Sequence, residues 1–339
     1  MKIKTKWRLA IGRHFGMTSV SGIHTSAVNA CRFLRFRKIV LPILLICLMG
    51  CKTDPNKKDN GKLKVVTTTT MITDLLHRIG GDAIEIQGLM GSGVDPHLYK
   101  ASEGDVNKLF TADIVFYSGL HLEGKLVDIF EKMEKQHNKT VALADKLDKK
   151  ELLASEFFAS NYDPHIWFNV TFWKKITQYV TEKLQEADPK NAALFAKNSK
   201  QYLTELDALE IDIKRIIETL PKEKRILVTA HDAFNYFGVA YGFQVLGLQG
   251  ISTATEAGVQ DVQKLSQFII DNKVKSIFIE TSVPRRTIEA LQASVTSKGH
   301  DVSIGGSLYS DALGTKGTEE GTYIGMFRHN VNTIVNALK

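Results

Sequence analysis

Two series of alternating strand and helix signals, separated by one long amphipathic stretch, predict an α/β protein. The expected architecture is two lobes joined by one long rigid helix. Each lobe carries a four-stranded, mainly parallel sheet flanked by helices. Three features carry this: residues 63–144 alternate β-branched runs with helical periodicity, residues 225–338 do so again, and residues 189–220 hold a single apolar stripe.

In the first series, Leu63 to Thr70 (LKVVTTTT) is β-branched and reads as a strand. Met71 to Ile79 reads as a helix stopped by Gly80-Gly81. Ala83 to Leu89 alternates apolar and polar residues, the signature of a half-buried strand. The loop Met90-Gly91-Ser92-Gly93-Val94-Asp95-Pro96-His97 follows. Ser102 is a favourable N-cap for a helix running to Thr111. Asp113 to Tyr117 is a third strand, Leu122 to Lys135 a helix, and Val141 to Ala144 a short fourth strand.

Val170 to Leu184 places Trp173, Ile176, Val180 and Leu184 on one helical face. Asp188 then caps a new helix with Pro189 at its first position. Its stripe is Phe195, Tyr202, Leu206, Leu209, Ile213, Ile216 and Leu220, ended by Pro221. A helix from 189 to 219 is about 46 Å long at about 1.5 Å per residue. That exceeds one small lobe, so the stretch reads as a rod between two; a long helix within one domain is the alternative.

The second series starts with the strand Arg225 to Thr229, which ends at Ala230-His231-Asp232. Strands at 243–248, 276–280 and 302–304 alternate with helices at 259–270 and 284–297, and a last helix covers 322–338. The loop Gly305-Gly306-Ser307-Leu308-Tyr309-Ser310-Asp311 follows the last strand. The domain assignment is therefore 1–50 leader, 51–62 tether, 63–188 first lobe, 189–220 linking helix and 221–339 second lobe.

The leader is set apart by charge. Residues 1–50 contain nine Lys/Arg and no Asp or Glu, and a basic run at 32–38 precedes an apolar run from Ile39 to Met49. These are the n- and h-regions of a secretion signal. The apolar run is shorter than the roughly 20 residues of a permanent span. It ends in Leu48-Met49-Gly50-Cys51, which resembles a bacterial lipobox with an unusual Met49, implying cleavage before Cys51 and lipidation there. An ordinary signal or an uncleaved anchor is the alternative. The whole chain is +7, from 44 Lys+Arg against 37 Asp+Glu. Without the leader 35 basic residues face 37 acidic ones, a net −2, so a basic nucleic-acid surface is excluded. Cysteines stand only at 31, 47 and 51, so residues after 51 form no disulfide.

Two short motifs echo each other: Asp95-Pro96-His97-Leu98-Tyr99 and Asp163-Pro164-His165-Ile166-Trp167. Proline fixes its own φ and pushes the preceding residue extended, so each imidazole is presented from a restrained backbone. In parallel α/β sheets, ligands bind beyond the carboxyl ends of strands. His97, His231 and Asp311 all follow strands. The four residues His97, His165, His231 and Asp311, two from each lobe, suit a borderline divalent metal: zinc first, with Mn²⁺ or Fe²⁺ possible. Four protein ligands close a zinc shell and leave no position for an activated water, which favours holding the metal over catalysis. Glu280 ends a buried strand beside this set and is a candidate to hydrogen-bond a ligand imidazole, or it simply ends the strand. Trp167 and Tyr99 are expected to wall the site. His121 follows a strand end and stands outside the set, while His137, His300 and His329 read as surface or packing residues.

VDPHLYKAS at 94–102, DPHIWFNV at 163–170, VTAHDAFNYFGVAYGF at 228–243, GLQGISTATEAG at 247–258, IFIETSVP at 277–284 and GTEEGTYIGMFRHN at 317–330 together resemble the TroA-type family. These are zinc/manganese-binding lipoproteins (cluster A-I) of bacterial ABC importers, and the likeness covers about 63–339. The resemblance implies the two-lobed fold and the same four ligands. It also implies an ABC permease with its ATPase as partner, a lipid-anchored extracytoplasmic location and a monomer. Manganese-tuned members often carry Glu where this chain has His231, and many zinc-dedicated members carry a His-rich loop that residues 120–162 lack. The set therefore resembles members that accept both Zn²⁺ and Mn²⁺, and its nitrogen-rich character favours zinc. The competing readings are a secreted zinc-dependent hydrolase and a surface adhesin that also binds metal. Against the hydrolase, the chain has no His-Glu-x-x-His motif and no spare general base.

Overall fold

The computed structural model describes residues 61–137, 139–155 and 158–339. The leader, Cys51 and nearly all of the tether lie outside the described residues. The first lobe is built from β1 (Leu63–Thr67), α1 (Thr70–Gly80), β2 (Ile84–Gly88), α2 (Glu103–Thr111), β3 (Ile114–Tyr117), α3 (Val127–Lys135), β4 (Thr140–Ala142) and α4 (Val170–Ala187). Its four strands form one parallel sheet in the order β2-β1-β3-β4. Ser102 caps α2 as expected, accepting from the Asp105 N–H while Asp105 accepts from the Ser102 N–H.

The joining helix is α5 (Ala192–Glu218), 27 residues or about 40 Å long. It starts three residues later than the sequence suggests. Pro189–Asn191 form a 3₁₀ turn, and the Asp188 carboxylate accepts from the Asn191 side chain at 2.6 Å rather than capping backbone. Every residue of the expected stripe is buried except the partly exposed Ile216.

The second lobe comprises β5 (Ile226–His231), α6 (Asn235–Tyr241), β6 (Gln244–Gln249), α7 (Val259–Asp271), β7 (Ser276–Glu280), α8 (Arg286–Ser297), β8 (Ser303–Leu308) and α9 (Tyr323–Leu338). All its pairings are parallel. Its strands, however, form two hydrogen-bonded pairs, β5-β6 and β7-β8, rather than the expected four-stranded ladder. β5 and β7 lie side by side. At the C-terminal end of that seam the His231 N–H is donated to the Glu280 carboxylate, not to a main-chain carbonyl.

β8 also runs further than expected, through Gly305 and Gly306 to Leu308. A Cβ on Gly305 would stand 2.6 Å from Ala337 Cβ, and one on Gly306 2.5 Å from Thr333 Cγ2. The glycines here are strand residues over which α9 packs closely. They do not open a loop.

α5 packs against α1 and α4 of the first lobe and against α9 of the second. One apolar core runs through all of them: Val65, Trp173, Tyr202 and Phe327 belong to a single buried cluster. Trp173 stacks on Tyr323 at 4.8 Å between ring centres. Sliding the lobes along α5 would expose this shared core, which costs about 25 cal/mol per Å². No helix among the described residues is long and apolar enough to cross a membrane.

Candidate metal centre

The two Asp-Pro-His triplets make the same local turn. The His97 N–H donates to Asp95 Oδ1 at 2.8 Å, and the His165 N–H donates to Asp163 Oδ1 at 2.9 Å. An aspartate bonding backbone two residues on is an Asx turn; the intervening proline makes it stiff. His97 stands in the loop after β2, and His165 just before a 3₁₀ turn at Ile166–Phe168. His231 is the last residue of β5, and Asp311 lies three residues beyond β8.

These side chains converge. Each of His97, His165, His231 and Asp311 offers one ligand atom, and all four atoms lie within 4.8 Å of one another. His97 Nε2 is 3.4 Å from His165 Nε2. Asp311 Oδ1 is 3.5 Å from His165 Nε2, and Asp311 Oδ2 is 3.3 Å from His231 Nε2. The exposures are 4% for His97, 0% for His165 and His231, and 1% for Asp311. His231 Nε2 and Asp311 Oδ1 are buried without an aligned hydrogen-bond partner. A buried polar atom left so is costly, and a divalent cation at the common point would satisfy both. Three imidazoles and a carboxylate form the donor set of a borderline divalent ion.

A family described as zinc-uptake complex component A, periplasmic (ZnuA), matches residues 65–337. The chain belongs to the ZnuA family. It is 47% identical over 294 residues to the manganese-binding lipoprotein MntA of Bacillus subtilis, covering 86% of this chain and 95% of that one. It is 46% identical over 279 residues to the zinc-binding protein TroA of Treponema pallidum, covering 82% and 90%. The solved structure of periplasmic TroA from the same organism superposes with a TM-score of 0.80 over 82% of this chain and 99% of that one.

In this ZnuA-family chain two of the three rings are backed by carboxylates. His165 Nδ1 is 2.8 Å from Asp163 Oδ1. Asp163 is itself fixed from the second lobe, where Asn235 donates to its Oδ2 at 3.0 Å and the Tyr236 hydroxyl to its carbonyl at 2.9 Å. His231 Nδ1 lies 2.6 Å from Glu280 Oε2, off the line of an aligned hydrogen bond, while Glu280 Oε1 accepts the His231 main-chain N–H at 2.9 Å. Such contacts turn Nε2 toward the centre.

Electrostatics divide the set. Burial pushes the His97 pKa down to about 3. Burial also acts downward on His231, but the Glu280 and Asp311 carboxylates outweigh it and raise that ring well above its ordinary value. Burial disfavours the charged form of Asp311, yet the histidines, His231 foremost, hold its carboxyl well below the usual carboxylate range.

The neighbours fall out unevenly. Trp167 walls the site, edge-on to His165 at 5.3 Å. Tyr99 does not: its hydroxyl donates to Asp105 Oδ2 at 2.8 Å and its ring packs in the outer core of the first lobe. His121 stands in a left-handed turn (φ 60) and is not part of the cluster. His300 and His329 each meet a main-chain carbonyl, of Val274 and Ser307.

Four helpers carried no assigned role in the sequence. Phe158 stands edge-on to His97 at 6.4 Å. Thr253 donates to Asp95 Oδ2 at 2.5 Å from the other lobe. Asp95 and Asp163 do the turning inside motifs where only proline and histidine were given a role. The repeated spacing of Asp two residues before His was the signal for them; nothing local marked Phe158 or Thr253.

Proposed function

We propose that this chain captures a divalent transition metal outside the cytoplasm and delivers it to an ABC importer. The supporting observation is one buried point that three imidazoles and one carboxylate reach together. His97, His165 and His231 bind through Nε2 and Asp311 through a carboxylate oxygen, with Glu280 and Asp163 orienting two of the rings. Four protein donors fill a tetrahedral shell, so the protein holds its metal as cargo and is not an enzyme. The relatives are named for zinc and for manganese; the nitrogen-rich set favours Zn²⁺ and admits Mn²⁺.

The remaining parts of the reading go with this role. Residues 63–188 and 221–339 act as two metal-binding lobes on the linking helix 189–220. Cys51 carries a lipid that holds the protein to the membrane. The monomer presents its cargo to a permease driven by an ATPase.

Purification without added metal, followed by elemental analysis, tests the core claim. One equivalent of zinc or manganese per chain is expected, together with slowed uptake of that metal in a deletion strain. Metal-free protein that fails to bind either ion in competition titrations contradicts it. Cys51→Ser is expected to move the protein to the soluble fraction; persistent membrane association contradicts the lipid anchor.

A further inference from the structure

Asp311 belongs to the second lobe, yet its backbone is gripped from the first. It lies in the irregular stretch 309–322 between β8 and α9. One residue earlier, the Ser310 carbonyl accepts from Trp167 Nε1 at 3.0 Å. Two residues later, the Leu313 N–H donates to Thr70 Oγ1 at 2.7 Å, and the Leu313 carbonyl accepts from Ser92 Oγ at 2.9 Å. Thr70 opens α1, and Ser92 stands in the loop that carries His97.

The carboxylate has little of its own to hold it. Oδ1 has no aligned hydrogen bond, and Oδ2 meets the Ser282 hydroxyl only at 3.3 Å. A ligand group with a loose second layer takes its position from its backbone. We propose that Thr70 and Ser92 are positioning residues for Asp311: by gripping Leu313 from the first lobe they keep the carboxylate in reach and set how fast metal leaves. Separation of the lobes would break this grip and withdraw the carboxylate together. The inference rests on Asp311 being a metal ligand.

The test is stopped-flow release of Zn²⁺ from the loaded protein into excess chelator. Thr70→Val, Ser92→Ala and the double variant are compared with Thr70→Ser and Ser92→Thr. Each hydroxyl removed is expected to speed release about fivefold, and the pair more, as for loss of ordinary hydrogen bonds. Association rates stay at wild-type values, metal-free protein melts at most a few degrees lower, and the conservative variants restore slow release. Ser92 is exposed, so Ser92→Ala folds even if Thr70→Val does not. In an Asp311→Ala background the same changes are expected to do nothing. Wild-type release from the double variant, or equal acceleration without Asp311, overturns the proposal. If Asp311→Ala itself releases zinc at the wild-type rate, the ligand assignment fails instead, so the two failures are distinguishable.

Discussion

His231 ends a strand, and one carboxylate grips it twice: Glu280 accepts its main-chain N–H and faces its ring at 2.6 Å. His97 sits in a loop. Asp95 accepts its main-chain N–H, but no carboxylate pairs with its ring among the described residues. The same residue type is thus brought to one point by two degrees of fixation. The strand-borne ring is coupled to charge and favours a proton when metal is absent. The loop-borne ring is kept neutral chiefly by burial, with repulsion from His165 and His231 adding to it, and it is the more exposed of the two. A cluster assembled in this way has a firm side and a yielding side.

The largest effect expected is from removing a firmly held ring. His231→Ala and His165→Ala should each weaken zinc binding by more than about 100-fold, since even the partners of ligating histidines are worth about 10–100-fold. Far-UV circular dichroism should show both variants folded. His97→Ala should cost measurably less in the same competition titration. Equal losses for His97 and His231 would break the contrast.

Glu280→Gln comes next. Glutamine keeps an acceptor for the His231 N–H but removes the charge facing Nδ1, and affinity should fall about 10–100-fold. An unchanged affinity would reduce Glu280 to a strand-end residue.

Proton competition sharpens the comparison further. The His231 pKa is raised in the fold, so its pairing stabilises the metal-free protein fully below about pH 6.5 and is lost as pH climbs through the raised folded value. The stability gap between wild type and Glu280→Gln, read by urea unfolding without metal, should therefore shrink as pH rises above about 6.5. Metal affinity runs the other way: binding displaces the His231 proton, so affinity falls as pH drops. His97, held down at about 3, adds nothing to this at neutral pH, and His97→Ala should leave the proton release seen by calorimetry unchanged.

The smallest effect concerns the tie across the lobes. Thr253→Val removes the hydroxyl on Asp95, one hydrogen bond from the loop of His97. A loss of about fivefold or less in affinity is expected.

Much of this was legible in the sequence because it was written in local chemistry. Period-2 and helical patterns placed the eight strands, and Asp-Pro-His twice announced a stiff turn before an imidazole. What was not legible depends on which segments meet. The two strand pairs of the second lobe replace a continuous ladder where the Glu280 side chain takes the His231 N–H, and no local pattern reveals that. Gly305-Gly306 read as a loop because glycine is the usual turn residue; contact with α9 decides otherwise. Tyr99 stands two residues after its histidine just as Trp167 does, yet Asp105 captures its hydroxyl on the capping box of α2. Helix α6 went unassigned from the sequence because, at seven residues, it is too short to show a period.

The most direct measurement is zinc-edge anomalous diffraction from crystals of the metal-loaded protein. One strong peak is expected within about 2.0–2.2 Å of a nitrogen of His97, His165 and His231 and of an Asp311 oxygen. A peak elsewhere, or one that leaves any of these four side chains out of coordination reach, would contradict it.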